Sequence, residues 1–368
     1  MSHSQRERAG VREKHDFPGR QSLTSTYLDF RDWCRQLPKV ELHLHLEGAI
    51  PIPALWELIQ KYGGDSRVPD ENALREYFRF RDFPHFLELW IWKNQFLQEY
   101  EDFTFFSAGV AESLKAENIQ YAEAFFSPGR FKQEGFDTAR MLESVRAGLD
   151  SVSGVEVALI PDLVRDLGPE YASGVLDEIS ELRSLGVIGV GLGGSEHTHP
   201  PELYTDVYRR ARDMGLHATA HAGEAAGAES VWGAINSLEV ERIGHGIRAI
   251  EDADLMRHLA ETGLPIEMCP LSNVATRVVE SVAVHPIRKF LDRGLMVTVN
   301  SDDPAMFGNS LSQDFMALMT ELSFTPAEVR TLILNGIWSS WLDPDQKRAL
   351  ETTFTRSATW LETPVDHR

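Results

Sequence analysis

Short apolar runs that alternate with helix-like segments are the feature that most limits the folds open to this chain of 368 residues. The segments between the later runs are amphipathic, as in "PELYTDVYRRARDMG" and "DADLMRHLAETG", and each ends in a Gly suited to a helix C-cap. Strand–helix alternation predicts a parallel sheet, and eight such units predict a closed α/β barrel of the (β/α)8 TIM type. A doubly wound open sheet is the alternative, but no G-x-G-x-x-G follows the first run. The eight strand candidates are residues 39–46, 119–126, 155–163, 187–194, 217–224, 241–246, 264–270 and 295–302.

The spacing between the first and second apolar runs departs from this regular strand–helix alternation. About seventy residues separate them, which is too many for one crossover helix. We therefore predict that residues 51–118 form a helical insertion, which would cover the C-terminal mouth of the barrel, where active sites lie. Aromatic residues of this insertion could wall a pocket for a flat ligand, although helix core is the commoner place for most of them. These aromatic residues are Phe83, Phe86, Trp90, Trp92 and Phe96.

Composition limits the partners and the compartment. The formal net charge of −20 argues against nucleic acids and anionic membranes as partners, but it permits a neutral small molecule. Cys34 and Cys269 are too few for a disulfide framework, which favours a reducing cytoplasm. No long apolar run indicates a membrane span, and the first residues lack the apolar core of a secretory signal. We predict a polar arm over residues 1–35 and one barrel domain over 36–368, and the oligomeric state stays open.

The first strand candidate, "KVELHLHL", places His43 and His45 on one face and leucines on the other. A half-exposed strand with a polar solvent side is the ordinary explanation of such a pattern. Residues two apart on a strand can also grip a single ion, and neutral imidazole is a common ligand for zinc-like metals. The pattern alone leaves both possibilities open.

Polar residues also collect at the ends of later strand candidates. His221 and Glu224 close the fifth, His245 closes the sixth, and Asp302 and Asp303 follow the eighth. Each of these residues alone could be a satisfied core histidine or a helix cap. Together they form the cluster of polar strand ends that a barrel active site requires.

Six motifs in this chain resemble those of the adenosine deaminase family within the amidohydrolase superfamily. They are "ELHLHLEGAI", "GVGLGGSE", "TAHAGE", "RIGHGI", "MCPLSN" and "VNSDDPAMF". The resemblance implies a metal-dependent hydrolase with one Zn²⁺ per chain. The ligands that it implies are His43, His45, His221 and Asp302. The catalytic residues that it implies are Glu224, His245 and Asp303, and the implied substrate contacts are His45, Glu47, Gly194 and Asp303.

The chemistry of these residue types agrees with the resemblance. Zinc held by three imidazoles and a carboxylate lowers the pKa of a bound water toward neutrality, and the resulting hydroxide can attack a ring carbon that bears an amino group. Because the attack breaks aromaticity, the adjacent ring nitrogen must be protonated, and Glu224 would supply that proton. His245 would orient the water, Asp303 would hydrogen-bond purine N7, and the Gly194 N–H would donate to N3. Ammonia then leaves and a 6-oxopurine remains.

Three other classes fit less well. Two-metal amidohydrolases need a bridging carboxylate, often a modified Lys at the end of the fourth strand, where this chain has Gly193, Gly194, Ser195 and Glu196. The other zinc deaminase fold carries P-C-x-x-C, and "CPLS" lacks the second cysteine. A binding protein on a decayed barrel is expected to have lost ligands or the acid, and none is missing.

Two positions depart from the adenosine pattern. Glu47 stands where adenosine deaminases usually have the Asp that holds the ribose 5′-hydroxyl, and Ser195 replaces the Asp of the usual "AGDE". Related bacterial subgroups that act on adenine also tend to carry Glu in the first motif. We predict a 6-aminopurine deaminase of purine metabolism with adenosine as the leading substrate. Adenine, or a 5′-modified adenosine such as 6-amino-6-deoxyfutalosine, is the alternative.

Overall fold

Eight parallel strands form the centre of the computed structural model, which describes residues 29–364. Each strand lies inside one of the apolar runs picked out from the sequence. The strands are β1 Lys39–His45, β2 Ile119–Phe126, β3 Glu156–Pro161, β4 Gly189–Val190, β5 His217–Ala222, β6 Arg242–His245, β7 Ile266–Met268 and β8 Val297–Val299.

The strands close into one barrel, which confirms the predicted fold. Hydrogen-bonded ladders run in the order β1-β2-β3 and β4-β5-β6-β7-β8. A parallel bridge between Leu159 and Val187 joins β3 to the chain before β4, and a bridge between Leu44 and Asp302 joins β1 to the chain after β8. The His45 N–H donates to the Asp302 carbonyl at 2.9 Å across this second junction. Parallel strands closed in this way bring all eight C-terminal ends to one mouth.

The helices surround the barrel and continue beyond it. Gly215 and Gly263, which end the two amphipathic segments, have positive φ and follow their helices as predicted for C-caps. The first nine helices are α1 Phe30–Gln36, α2 Ile52–Lys61, α3 Glu71–Tyr77, α4 Phe83–Asn94, α5 Tyr100–Ala116, α6 Pro128–Lys132, α7 Thr138–Asp150, α8 Pro169–Ile179 and α9 Thr205–Asp213. The others are α10 Ala228–Gly233, α11 Ala253–Thr262, α12 Pro270–Ala275, α13 Ile287–Asp292, α14 Pro304–Phe307, α15 Leu311–Glu321, α16 Pro326–Ser339, α17 Pro344–Thr355 and α18 Ala358–Leu361.

Four helices, α2 to α5, occupy the segment predicted as an insertion. The last of them, α5, packs along α7 and against β2, which is the position of a barrel's own outer helix. Gly148 permits this close packing, because a Cβ there would lie 2.3 Å from the Thr104 carbonyl oxygen. The earlier helix α4 instead contributes its side chains to a cavity at the mouth.

The chain already packs on the barrel within the range predicted as a polar arm. Helix α1 lies against α15 and buries Trp33 and Cys34, and the Asp29 carboxylate caps its first turn by accepting from the Asp32 N–H. Residues 1–28 of the predicted arm lie outside the described residues. Among the residues that are described, no helix has the length and apolar character needed to cross a membrane.

Candidate active site

The four predicted metal ligands meet at the C-terminal mouth of the barrel. The Nε2 atom of His221 lies 3.0 Å from His43 Nε2 and 3.1 Å from His45 Nε2. The Asp302 Oδ1 atom lies 3.5 Å from His43 Nε2 and 3.4 Å from His45 Nε2. All four side chains are buried. Ring nitrogens that face one another at this distance repel unless a cation or a proton lies between them, so this donor set fits one zinc-like ion.

Electrostatics favour the metal-binding form of two of these imidazoles. Burial lowers the pKa of His45, and it lowers the pKa of His221 well below the usual value. A neutral imidazole has a free lone pair on one ring nitrogen, which is the form that ligates metals. His45 and His221 are therefore neutral before any metal binds.

Two site residues hold unusual backbone conformations. His245 has φ +59° and Asp302 has φ +67°, which is the left-handed region that residues with a side chain seldom adopt. Such a conformation costs on the order of 1–3 kcal/mol and persists only where surrounding contacts enforce it. It lets the chain turn sharply at the ends of β6 and β8, so both side chains point into the mouth.

A buried carboxylate fixes the orientation of the His43 ring. Glu267 on β7 accepts from His43 Nδ1 at 2.7 Å and from Arg242 Nε at 2.5 Å. Burial favours the protonated form of Glu267, but the charge of Arg242 and the hydrogen bond from His43 prevail and lower the pKa of Glu267. With its proton held on Nδ1, His43 directs the lone pair of Nε2 into the ligand cluster.

We expect Glu267→Gln to weaken zinc binding by about 10–100-fold, because the amide is a poorer acceptor for the His43 N–H. Zinc affinity should be measured by competition with a chelator of known affinity. Glu123→Gln is the matched control, since Glu123 also pairs with Arg242 in the barrel interior but makes no contact with His43. Equal zinc affinity in Glu267→Gln and the wild type would remove this role from Glu267.

A chain of hydrogen bonds fixes the tautomer of His245. The Ile287 N–H donates to His285 Nδ1 at 3.2 Å, which leaves the proton of His285 on Nε2, 3.1 Å from Asn273 Oδ1. The Asn273 amide therefore presents its Nδ2 donor to His245 Nδ1 at 3.1 Å. Burial lowers the pKa of His245 to about 3, so the ring is neutral and carries its proton on Nε2.

That proton faces the candidate reaction centre. His245 Nε2 lies 3.6 Å from Glu224 Oε2 and 3.8 Å from Asp302 Oδ2, and it has no hydrogen-bond partner among the described residues. His245 also shares with His43, His221 and Asp302 a set of four donor atoms that lie within 4.8 Å of one another. A buried N–H without a partner is costly, so this site suits a water or a substrate atom as acceptor.

Glu224 is buried beside His245, as predicted for an acid. Burial raises its pKa well above the usual value, and the charge of Asp302 adds to the effect. The Glu196 carboxylate holds the loop that carries it, accepting the backbone N–H groups of Gly223 at 2.5 Å and of Ala225 at 2.7 Å. Glu224 can therefore enter the reaction as a protonated carboxyl.

Glycines bring two other predicted residues to the cavity wall. Gly194 has φ +105°, and a Cβ there would lie 2.1 Å from Asp166 Oδ2. A Cβ on Gly48 would lie 1.7 Å from Asp303 Oδ1, so the Gly that follows Glu47 makes room for Asp303. Burial raises the pKa of Asp303 well above its usual value. Both Gly194 and Asp303 line the cavity.

Glu47 is the predicted substrate contact that does not line the cavity. Its carboxylate is fully buried and accepts the Ser127 N–H at 2.8 Å. The charge of Lys93, a buried residue of α4, lies close enough to oppose the rise in the pKa of Glu47 that burial causes. The side chain is held against Ser127, a residue of the cavity wall, and its contact with substrate stays a prediction.

One face of α4 forms the outer wall of the cavity, which has a volume of about 150 Å³. Residues at positions 83, 86, 87, 90 and 91 follow helical spacing, so Phe83, Phe86 and Trp90 line the cavity. Trp92 and Phe96 point elsewhere and contact each other edge to face. Three of the five predicted aromatic residues therefore wall the pocket, and these two belong to the core.

Several supporting residues were not identified from the sequence. Glu267 interrupts the apolar run "LPIEMCP", and an acid inside a buried strand was the signal that could have marked it. Ser272, which donates to Asp302 Oδ2 at 2.6 Å, and Asn273 both lie in the quoted motif "MCPLSN", and Glu196 ends "GVGLGGSE". Their partners lie far away in the sequence, so their roles became visible only in the fold.

Comparisons with known proteins agree with this geometry. A family model described as adenosine deaminase matches residues 38–356. An adenine deaminase from Bordetella avium is 38% identical over 312 residues, covering 84% of this chain and 98% of the relative, and further relatives at 36–37% identity share that name. An aminodeoxyfutalosine deaminase from Streptomyces coelicolor is 34% identical over 340 residues, covering 90% and 88%. A solved amidohydrolase from Burkholderia ambifaria with bound Zn is 29% identical, covers 88% and 91%, and has a TM-score of 0.81.

Proposed function

This chain belongs to the adenosine deaminase family, and we propose that it converts adenine to hypoxanthine and ammonia. Its relatives are named as deaminases of adenine or of aminodeoxyfutalosine, so deamination is the reaction that their names share. The observation that carries the proposal is the buried cluster of His43, His45, His221 and Asp302 beside the protonated carboxyl of Glu224. The cluster opens into a cavity with flat aromatic walls, which suits a purine.

The substrate differs from the one that the sequence favoured. Adenosine was the leading candidate, and the comparisons do not support it, because the relatives with 36–38% identity are named adenine deaminases. Glu47 is the residue at which this chain departs from the adenosine pattern. Adenine, the alternative drawn from that departure, is the better supported substrate.

One zinc ion fits the donor set, and His43, His45, His221 and Asp302 would hold it. Imidazole nitrogens and a carboxylate oxygen are donor types that zinc binds in proteins. When bound, zinc supplies a water whose pKa is lowered enough to act as a nucleophile near neutral pH.

The chain's own residues would supply the proton transfer, the orientation of the water and the contacts with the purine. Glu224 donates its proton to N1 of the ring as the adjacent carbon is attacked, which relieves the negative charge that would develop there. His245 would orient the attacking water through its Nε2–H, which lies 3.6 Å from Glu224 Oε2. Asp303, protonated because burial raises its pKa, donates to N7, and the Gly194 N–H donates to N3. The aromatic face of α4 limits the access of bulk water.

Ammonia release by the purified, zinc-loaded enzyme on adenine, adenosine and 5′-methylthioadenosine tests this proposal. We expect kcat/KM to be at least about tenfold higher on adenine than on adenosine, because the relatives with 36–38% identity are named adenine deaminases and Glu47 departs from the pattern whose Asp holds the ribose 5′-hydroxyl. A higher value on adenosine would restore the first prediction. No ammonia from any of the three would refute aminopurine deamination.

A second candidate has specific support. The aminodeoxyfutalosine deaminase aligns with 90% of this chain, and the cavity wall extends from the strand ends to the apolar side chains of Leu87, Trp90 and Ile91 on α4. Turnover of 5′-methylthioadenosine well above that of both adenine and adenosine would favour a 5′-extended nucleoside.

A further inference from the structure

Arg165, in the turn that follows β3, is a fully buried cation. Within residues 29–364 its guanidinium makes no ion pair and donates instead to backbone carbonyls. Its Nη2 group donates to the Leu192 carbonyl at 3.1 Å and to the His221 carbonyl at 2.6 Å, and Nη1 donates to the His199 carbonyl at 2.8 Å. A buried charge is costly unless it is well hydrogen-bonded, so the guanidinium and these carbonyls hold one another in place.

One of these carbonyls belongs to a predicted metal ligand, His221. Its N–H donates to the Leu192 carbonyl at 3.1 Å, while its own carbonyl accepts from Arg165, so its backbone is held on both sides. The His221 ring has no hydrogen-bond partner at Nδ1 among the described residues, whereas Glu267 holds Nδ1 of His43. The direction of the His221 ring therefore depends on its backbone, which Arg165 holds.

The same arginine also holds Gly193 and Gly194, the glycines that follow β4. The Arg165 N–H donates to the Gly193 carbonyl at 2.9 Å, and Arg165 Cγ would lie 3.2 Å from a Cβ on Gly194. Gly194 lines the cavity, and its N–H donates to no acceptor in the part of the chain that the structure describes. That N–H is free for a ligand, and Arg165 fixes the backbone that presents it.

We propose that Arg165 is a positioning residue that sets both the His221 imidazole and the Gly194 N–H. The inference rests on the proposed deamination of an aminopurine, and it adds a residue that does not itself line the cavity. A guanidinium suits this role because its planar fork of donors can bond carbonyls on different segments at once, whereas an ammonium concentrates its donors at one point. A single substitution at Arg165 should therefore weaken metal binding and purine binding together.

The test compares the wild type with Arg165→Met and Arg165→Lys in zinc affinity and in KM for adenine at saturating zinc. We expect Arg165→Met to weaken zinc binding, measured by competition with a chelator, by about 10–100-fold. It should raise KM by about three- to tenfold, because the hydrogen bond from the Gly194 N–H to the base is weakened or lost. Arg165→Lys should show smaller changes in both quantities, since it keeps the charge but cannot bond all three carbonyls.

Arg146→Met is the matched control. Arg146 is a half-buried arginine on the outer helix α7 that also donates to a backbone carbonyl, that of Val157, at 2.8 Å. This variant should leave zinc affinity and KM at their wild-type values. Urea unfolding of every variant shows how much of each loss comes from the fold.

A purely structural role for Arg165 predicts a different result. Loss of folded protein would lower the apparent kcat, while the molecules that remain folded would keep the wild-type KM and zinc affinity. That outcome in Arg165→Met, or in Arg165→Lys where the Met variant does not fold, would overturn the proposal. Zinc binding does not require turnover, so a wild type inactive on adenine would overturn the proposed function while the zinc measurements still decide whether Arg165 positions His221.

Discussion

Replacement of Glu224 by Gln is expected to lower kcat/KM for adenine by at least about a thousandfold while the zinc content stays at the wild-type level. Glutamine keeps the size and the hydrogen-bonding capacity of the protonated acid, but it cannot transfer a proton to the ring. Burial and the charge of Asp302 raise the pKa of Glu224, so the acid form that Gln imitates is the form present before reaction. The loss would therefore report proton transfer, not a change of shape or charge.

Zinc content measured by atomic emission separates this effect from damage to the ligand cluster. Asp314→Asn is a suitable control, since Asp314 is a buried acid whose pKa burial raises to about 8, and it does not line the cavity. That variant should keep most of the activity. Wild-type turnover by Glu224→Gln would assign the proton to another group, and a loss of zinc would point to a ligand role for Glu224.

The architecture was predictable because its signals are local. A buried parallel strand is a short apolar run, and an outer helix has an amphipathic period, so each unit can be recognised without its neighbours. The docking of α5 against α7 was not recognisable in this way, because it depends on which faces of two separate helices meet at Gly148. The division of α4 into pocket-lining and core aromatics likewise depends on the angle at which that helix crosses the mouth.

The same difference between local signals and distant contacts explains which residues of the candidate site could be predicted from the sequence. His43, His221 and Asp302 could be picked out because strand ends in a barrel share one mouth whatever their separation in sequence. Glu267 could not, since its role comes from a contact with His43, 224 residues away, and a lone acid in an apolar run has several possible roles. Glu47 is the reverse case: its place in the motif is evident from the sequence, but only the fold shows that its carboxylate accepts the Ser127 N–H.

Arg242 links Glu267, which contacts the metal ligand His43, to Glu123 in the barrel interior. Its guanidinium donates to Glu267 and to Glu123, and it stacks on the Trp341 ring with a separation of 3.6 Å to the centroid. All three charged groups are buried. The two carboxylates depend on this one cation, since burial otherwise favours the protonated form of Glu267.

Arg242→Met is therefore expected to lower the free energy of unfolding by about 3–5 kcal/mol, because it leaves two buried carboxylates without their counter-charge. Urea unfolding, followed with and without a chelator, gives the stability apart from the contribution of bound metal. Arg79→Met is the control, since Arg79 pairs with Glu76 on an exposed helix turn and should change stability little.

The double variant Arg242→Met, Glu123→Gln distinguishes charge from packing. If uncompensated charge causes the loss, neutralising Glu123 should recover part of the stability, because one of the two unpaired carboxylates is gone. If lost stacking on Trp341 causes it, the double variant should be no more stable than the single one. A loss of less than about 1 kcal/mol in Arg242→Met would show that Glu267 accepts a proton at little cost. Glu267 would then be neutral, and the His43 N–H would lose the carboxylate acceptor on which its orientation depends.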